Sequence, residues 1–425
     1  MQCKNNKLFS VSMKNLYLSI LLVLVSGVHV CFAQNNTSSP YSRYGLGELN
    51  QVGVGQASGF SGTSLSFRNR SYLSIDNPAA LTAIDSLKFI FNVGVSSKIS
   101  NLNQSGNSDV LYDSNLSHVS LGFRISPKIA TAVSLVPYTS VGYNISTLEK
   151  VNGSTDFYQR ILSGSGGLNQ FILSNGVALT NKLSVGVNAI YLFGNNTANE
   201  TITLSNTYNS TVEKLISKGI YGNVGLQYKD AFTKDWEVTI GAKFQPKVQV
   251  AGEKKENISN SSSGTVIDNN TLNKGSFDVP MTYGFGLGFT KNEQLWFGAD
   301  YLHEKWADTK IFKKSSGLVD RDRFSVGMNY IADDGYATTL LKKLTYRFGA
   351  FYDTGYIMTG SDRIESKGVS FGLGIPMAKN KGTINLSFEF GQMGTADNNN
   401  IREDYGKVTV EMSLFETWFL KRKYQ

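Results

Sequence analysis

The chain has 425 residues, with 41 lysines and arginines against 33 acidic residues, three histidines and two cysteines. The basic excess is spread along the chain, which excludes the clustered footprint of a nucleic-acid binder, and the two cysteines, both near the start, leave a secreted product without disulfides or a thiolate metal site. Beyond that start no stretch holds the roughly 18 uncharged apolar residues of a spanning helix, so a membrane crossing would have to be a closed barrel.

The first residues read as a leader. From Met13, an alternative start to Met1, a lysine at Lys14 precedes an apolar run from Leu16 to Val25 and then Cys31-Phe32-Ala33. This predicts a signal peptide over residues 1–33, cleaved after Ala33, with an apolar core too short to span a bilayer. Val30 opposes a lipoprotein reading through Cys31, because a small residue is expected there. Cleavage removes Cys3, Cys31 and three lysines.

Residues 34–85 are rich in Gly, Ser and Asn, with Gly45, Gly47, Gly53, Gly55, Gly59 and Gly62 breaking any period. A flexible arm would fit that composition. Interleaved Tyr41, Tyr44, Leu46, Phe60 and Phe67 instead favour an irregular but packed plug, since disordered linkers are poor in aromatics. Asn77-Pro78-Ala79-Ala80 then stops any ladder, because proline lacks the donor.

Period-two alternation starts directly afterwards and continues to the C-terminus. Leu87, Phe89, Phe91, Val93 and Val95 share one face, and Lys88, Asn92, Gly94 and Ser96 the other. Fourteen strand candidates fall near 86–97, 117–126, 128–147, 169–180, 182–193, 215–229, 236–250, 277–290, 294–306, 321–332, 344–357, 365–377, 382–393 and 404–418. Tight connections such as Ser126-Pro127-Lys128 alternate with long polar ones at 98–116, 148–168, 194–214 and 251–276, as in outer-membrane barrels; the connection 333–343 is longer than this scheme expects. No charge interrupts faces such as Val185-Val187-Ala189-Tyr191 or Phe324-Val326-Met328-Tyr330, whereas a charge on the lipid face at the midplane would cost roughly 2–4 kcal/mol. The opposite faces carry Glu237, Lys243, Asp300, Arg347, Glu389 and Glu411. A β-sandwich could alternate likewise, but so many long strands would overfill its single core. Trp236, Tyr301, Trp306 and Trp418 suit interfacial girdles.

The expectation is therefore an all-β protein. Residues 86–419 form a transmembrane antiparallel barrel of about 14 strands in the outer membrane of a Gram-negative bacterium, the N-terminal plug sits in its lumen, and a basic tail follows at 420–425. An even strand number puts both termini in the periplasm, because the long loops face outward.

Two strands depart from the rule. In the third, Pro137-Tyr138-Thr139-Ser140-Val141-Gly142-Tyr143 sets a proline and a glycine where the ladder should be continuous, which implies a bulge, a kink or a hole in the wall. The fourth, around Phe171 to Leu179, is almost apolar on both faces.

On Asn77-Pro78-Ala79 before the first barrel strand, the Pro137-to-Tyr143 stretch, the Gly164-to-Phe171 stretch, and Trp418-Phe419 followed by Lys421-Arg422-Lys423, the mature chain resembles the outer-membrane long-chain fatty acid transporters of the FadL/TodX type. That resemblance implies a fourteen-stranded barrel with a hatch containing Asn77, Pro78 and Ala79. It also implies a third-strand kink at Pro137, Tyr138 and Gly142 that opens the wall sideways and faces the hatch motif. No residues of a high-affinity lipid pocket match.

The mature histidines, His118 and His303, sit on distant strands with opposite orientation, which argues against a serine hydrolase. No metal-ligand spacing or phosphate-cradling glycine loop is present, and the glycines of Gly284-Phe285-Gly286-Leu287-Gly288 suit relief of lumen crowding. The chain is read as a non-enzyme without cofactor. Its first functional expectation is passive uptake of a hydrophobic, long-chain fatty acid-like small molecule, resting on an apolar path at Tyr44, Phe60 and Phe67 and leaving sideways into lipid and lipopolysaccharide. The alternative is a non-transporting barrel that docks other outer-membrane proteins as a subunit of a secretion or outer-membrane assembly complex.

Overall fold

Alternating faces and ladder hydrogen bonds build one closed sheet. A computed structural model describes residues 37–50, 53–261, 264–312, 314–332, 339–377 and 381–417; the leader, Trp418 and the basic tail lie outside them. The barrel strands are β1 Lys88–Gln104, β2 Asn107–Ser126, β3 Ile129–Lys150, β4 Phe157–Ala178, β5 Leu183–Leu204, β6 Thr207–Ala231, β7 Trp236–Gln245 with Val248–Asn260, β8 Gly264–Val279 with Thr282–Lys291, β9 Leu295–Glu304, β10 Arg321–Ile331, β11 Thr345–Asp353, β12 Ser366–Pro376, β13 Gly382–Met393 and β14 Arg402–Thr417. The breaks in β7 and β8 follow Pro246 and Pro280, which cannot donate to a ladder. Each strand pairs antiparallel with its sequence neighbour, and β14 closes on β1 from Lys88↔Thr417 to Asn103↔Arg402. This is a 14-strand antiparallel barrel.

Several strands run further than the alternation predicts. The span 98–116 is not a loop: β1 and β2 stay laddered to Gln104↔Asn107 and turn through Ser105 and Gly106, both at positive φ. Likewise 194–214 is mostly a continuation of the β5–β6 ladder up to Leu204↔Thr207. Above the bilayer both faces meet water, so the apolar period fades while the backbone still pairs. Nine to eleven tilted residues suffice to cross. β9 to β12 have 9 to 11, whereas β3 to β6 have 22 to 25 and stand well clear of the membrane.

The two faces divide as expected. Phe285, Val326 and Val369 are more than half exposed on the outer face, while Asp300, Arg347, Glu389 and Glu411 are buried inside. Trp236 sits in an outer aromatic group with Phe297, and Lys291 lies over its ring. Trp306 departs from its expected girdle position. It is fully buried, its indole N–H donates to Glu304 at 2.9 Å and its ring lies 4.7 Å from that of Tyr356. The segment after a strand's last ladder pair need not keep its parity, and here it turns inward.

The described N-terminal residues form short turns at Pro40–Arg43, Gly55–Phe60 and Pro78–Ala83, and these pack on inward glycines of the wall. A methyl group at Gly186 would stand 2.5 Å from the Pro78 carbonyl carbon, and one at Gly241 would collide with the Leu65 carbonyl. Gly286 and Gly288 instead meet side chains, of Asp300 and Leu65 and of Trp296 and Ser66, so the strand glycines make room for main chain at some notches and for side chains at others.

Candidate functional site

Three parts of the N-terminal segment meet the wall at different places. Asn77 is fully buried. Its Oδ1 accepts from the Ala79 N–H at 3.2 Å, capping the short turn that Pro78 starts, and its amide donates to the carbonyls of Leu65 at 2.9 Å and Leu226 at 3.1 Å. Gln227 reaches the same Leu65 carbonyl at 2.8 Å. The Asn77-Pro78-Ala79 motif therefore anchors on β4 to β7, with the Pro78 carbonyl against Gly176 of β4. Asp76, directly before it, lines the smaller cavity together with Pro137 and Tyr138 of the third-strand kink.

Higher in the segment, Phe60 and Phe67 pack with Ala57, Tyr72 and Trp296 in a closed aromatic cluster, with ring centroids 4.8 to 5.3 Å apart. Asp300 accepts the N–H groups of Ser64 at 2.6 Å and Leu65 at 2.8 Å, fixing this cluster to β9. Tyr44 is partly buried at the edge of a second cluster. Tyr44, Phe60 and Phe67 line neither of the two cavities described below.

The third strand is the distinctive part of the wall. The β2–β3 ladder runs only from Ser126↔Ile129 to Val119↔Leu135, seven residue pairs, whereas β1–β2 has sixteen and β3–β4 twenty-one. Above Leu135 the register of β3 on β4 slips between Pro137 and Thr139, leaving Tyr138 as the extra residue. Proline cannot donate toward β2, and the bulge bends β3 away. The bend is carried into the next strands by Gly167 and Gly194, at φ 154° and 151°, where a side chain would strike the neighbouring carbonyl.

The edge that β3 exposes there is covered by the N-terminal segment. Glu48 and Leu49 pair with Ser140 and Thr139, the Asn50 N–H donates to the Tyr138 carbonyl at 3.0 Å, and the Ser42 hydroxyl engages both the N–H and the carbonyl of Gly142, at 3.0 and 2.9 Å. Glu48 is held by Lys98 at 3.0 Å; Lys98 also reaches Glu403 at 3.1 Å, which accepts from Ser39 and Ser100. Burial would raise the Glu48 carboxyl, but Lys98 and the Thr37 hydroxyl outweigh it and hold the carboxyl below its usual range. Pairwise alternation missed this network, although Lys98 continues the inward parity of Asn92, Gly94 and Ser96.

Behind the gap lie two cavities of about 190 and 110 Å³. Leu49, Asn50, Val136 and Pro137 line both. The larger also touches Leu116 and Ser117 on β2 and crosses to Ile357, Ile364 and Met393, to the half-buried Lys98 and to the buried ions Arg321 and Asp353. Asp353 bridges Arg321 at 2.5 Å and Arg323 at 3.1 Å, and Arg321 also holds Glu304 at 2.9 Å. The lining is amphipathic, apolar near the kink and ionic opposite. Among the described residues no three His, Cys, Asp or Glu side chains are grouped to hold a metal. His118 on β2 is buried beside Ser117, and His303 on β9 pairs with Asp322 at 2.7 Å; the two strands are not neighbours.

Comparison with known proteins places these features. The family model described as BamG matches residues 13–425. Among solved structures, the Pseudomonas putida toluene transporter TodX superposes with a TM-score of 0.59 at 16% identity, over 87% of this chain and 99% of that one. A Pseudomonas aeruginosa FadL homologue gives 0.57 at 12%, over 88% and 100%, and the CymD monoaromatic hydrocarbon channel 0.55 at 14%, over 88% and 100%. At these identities the likeness is one of fold, and the barrel has the FadL/TodX-type fold. No curated protein matches the chain.

Proposed function

The chain belongs to the BamG family, and from that premise we propose that it is an outer-membrane barrel that works at the side of its wall, as a docking subunit of a secretion or outer-membrane assembly complex. The N-terminal segment acts as a hatch: Asn77, Pro78 and Ala79 tie it to the wall, and the Phe60–Phe67–Trp296 cluster stops the lumen. The observation that carries this reading is the contrast between that packed cluster and the seven-pair β2–β3 ladder. The cluster's rings lie 4.8 to 5.3 Å apart, while the β2–β3 seam of the wall has only seven pairs. Both termini are periplasmic in this reading, which leaves the tall β1–β8 wall and its gap to face partners in or above the outer leaflet. Mild detergent extraction followed by sizing tests it: a stoichiometric partner is expected, and a barrel that always emerges alone refutes it.

A second reading is supported by the larger cavity, which reaches the gap at Val136 and Pro137. A small hydrophobic molecule could rest there and leave past Pro137, Tyr138 and Gly142 into lipid. The ions at the far side suit an amphiphile with a polar head, such as a long-chain fatty acid, better than a bare hydrocarbon. Uptake of radiolabelled fatty acid should fall in a deletion strain; unchanged uptake removes this reading.

A further inference from the structure

Lysines scattered along the sequence meet on the outer face of the tallest part of the wall. Lys214 and Lys218 of β6 keep the outward parity of Ile220, Val224, Leu226 and Tyr228. Lys214 stands directly opposite Lys255 of β7, and Glu253, on the same face as Lys255, lies across the ladder from Lys274 of β8. Lys214, Lys218 and Lys274 are exposed, and among the described residues none of the four lysines forms an ion pair. The inward face of the neighbouring ladders differs: there Lys254 holds Glu213 and Arg160 holds Glu200, each at 2.7 Å. Like charges directly opposite each other destabilise a ladder, so an anion between Lys214 and Lys255 would relieve their repulsion.

Resting on the orientation read above, in which the tall ladders face outward, we propose that Lys214, Lys218, Lys255 and Lys274 hold the phosphate-bearing headgroup of a lipopolysaccharide molecule in the outer leaflet, its acyl chains lying on Ile220, Val224 and Tyr191. The height suits a headgroup. Lys218 stands ten residues above Tyr228 on β6, and ten tilted residues rise roughly 25 Å, the height of a barrel's apolar band. At that level the rings of Phe193 and Tyr191 stack 5.6 Å apart, and Phe193 pairs with Lys218. Lys214 and Lys255 stand above the band, where water and headgroups replace hydrocarbon. The face is also continuous from charge to oil: directly below Lys218 comes Ile220, 74% exposed and paired with Tyr191, and then Val224, paired with Val187. A free anion or an acidic peptide would use the lysines alone, whereas an anionic amphiphile uses both halves of the strip. Glu253 offsets one of the four charges and leaves the patch cationic.

The test uses the full barrel in nanodiscs of neutral phosphatidylcholine, with purified lipopolysaccharide as the probe and its retention per barrel as the readout. The combined change K214Q, K218Q, K255Q and K274Q should cut retention about tenfold or more. It should leave the yield of heat-modifiable barrel at the parental level, because it removes a repulsion. K182Q, whose lysine pairs with Asp230 at the opposite end of the wall, should change retention by less than about twofold. A second arm needs no variant: the parent barrel should retain dephosphorylated lipopolysaccharide about tenfold less than the intact molecule. Parental retention by the lysine variant, or equal retention of the dephosphorylated molecule, overturns the inference. Displacement of lipopolysaccharide by an equal concentration of inorganic phosphate overturns it in favour of a free-anion site, and a lysine variant that keeps lipopolysaccharide but loses a co-purifying acidic protein overturns it in favour of a protein contact. The orientation is read separately. Asn206→Cys, at an exposed position in the β5–β6 turn, should react with an impermeant maleimide on intact cells; no reaction refutes the orientation, whereas reaction together with unchanged retention refutes the lysine site alone.

Discussion

Asn77→Ala should loosen the hatch without disturbing the barrel. The side chain gives two donations of 2.9 and 3.1 Å, to Leu65 and Leu226, and one cap acceptance of 3.2 Å. A net hydrogen bond is worth about 1 kcal/mol and an N-cap about the same. Their joint loss at a fully buried site therefore amounts to roughly 2–4 kcal/mol, so that hatch opening becomes roughly 30 to 1,000 times more frequent. Asn77→Ser separates the parts: its hydroxyl still caps Ala79 but cannot reach the wall, and about half the effect should remain. A cysteine introduced at buried Ala80 reports opening through its maleimide labelling rate in membranes. Labelling of the Asn77→Ala barrel within about twofold of its parent would refute the assignment of these bonds as the anchor.

Other consequences are equally direct. Asp353→Ala leaves Arg323 buried without its carboxylate and Arg321 with Glu304 alone, which should destabilise the barrel by about 3–5 kcal/mol and lower its heat-modifiability temperature; the added change Arg323→Met should recover part of that. Gly241→Ala drives a methyl group into the Leu65 carbonyl, whereas Gly252→Ala meets only the end of the Phe312 ring at 3.3 Å. The first should lower folded yield and the second should shift stability by less than about 1 kcal/mol. Glu48 titrates below the unfolded carboxyl value of about 4.3. Its stabilisation is present above that value and is lost as pH falls below it through the lower folded one, so thermal stability should drop on acidification below about pH 4.3, and Glu48→Gln should flatten the drop.

Which parts of this protein could be read without coordinates follows from which forces are local. Side-chain period along Val185 to Tyr191 or Phe324 to Tyr330 is dictated by the lipid each strand must face, so the strand number, the antiparallel order and the break at Pro137 were legible residue by residue. Strand ends were not, because above the bilayer the ladder of β1 and β2 continues through Asn101 to Ser114 without any apolar period to mark it. Trp306 was misplaced for the same reason: parity holds only while a strand is paired. The position of Asn77 against Leu226, the seating of Glu48 and Leu49 on Ser140 and Thr139, and the meeting of Lys214 with Lys255 arise from contacts between residues scores to hundreds of positions apart. Those depend on how the closed sheet brings glycines opposite the incoming main chain, and only the tertiary structure decides that.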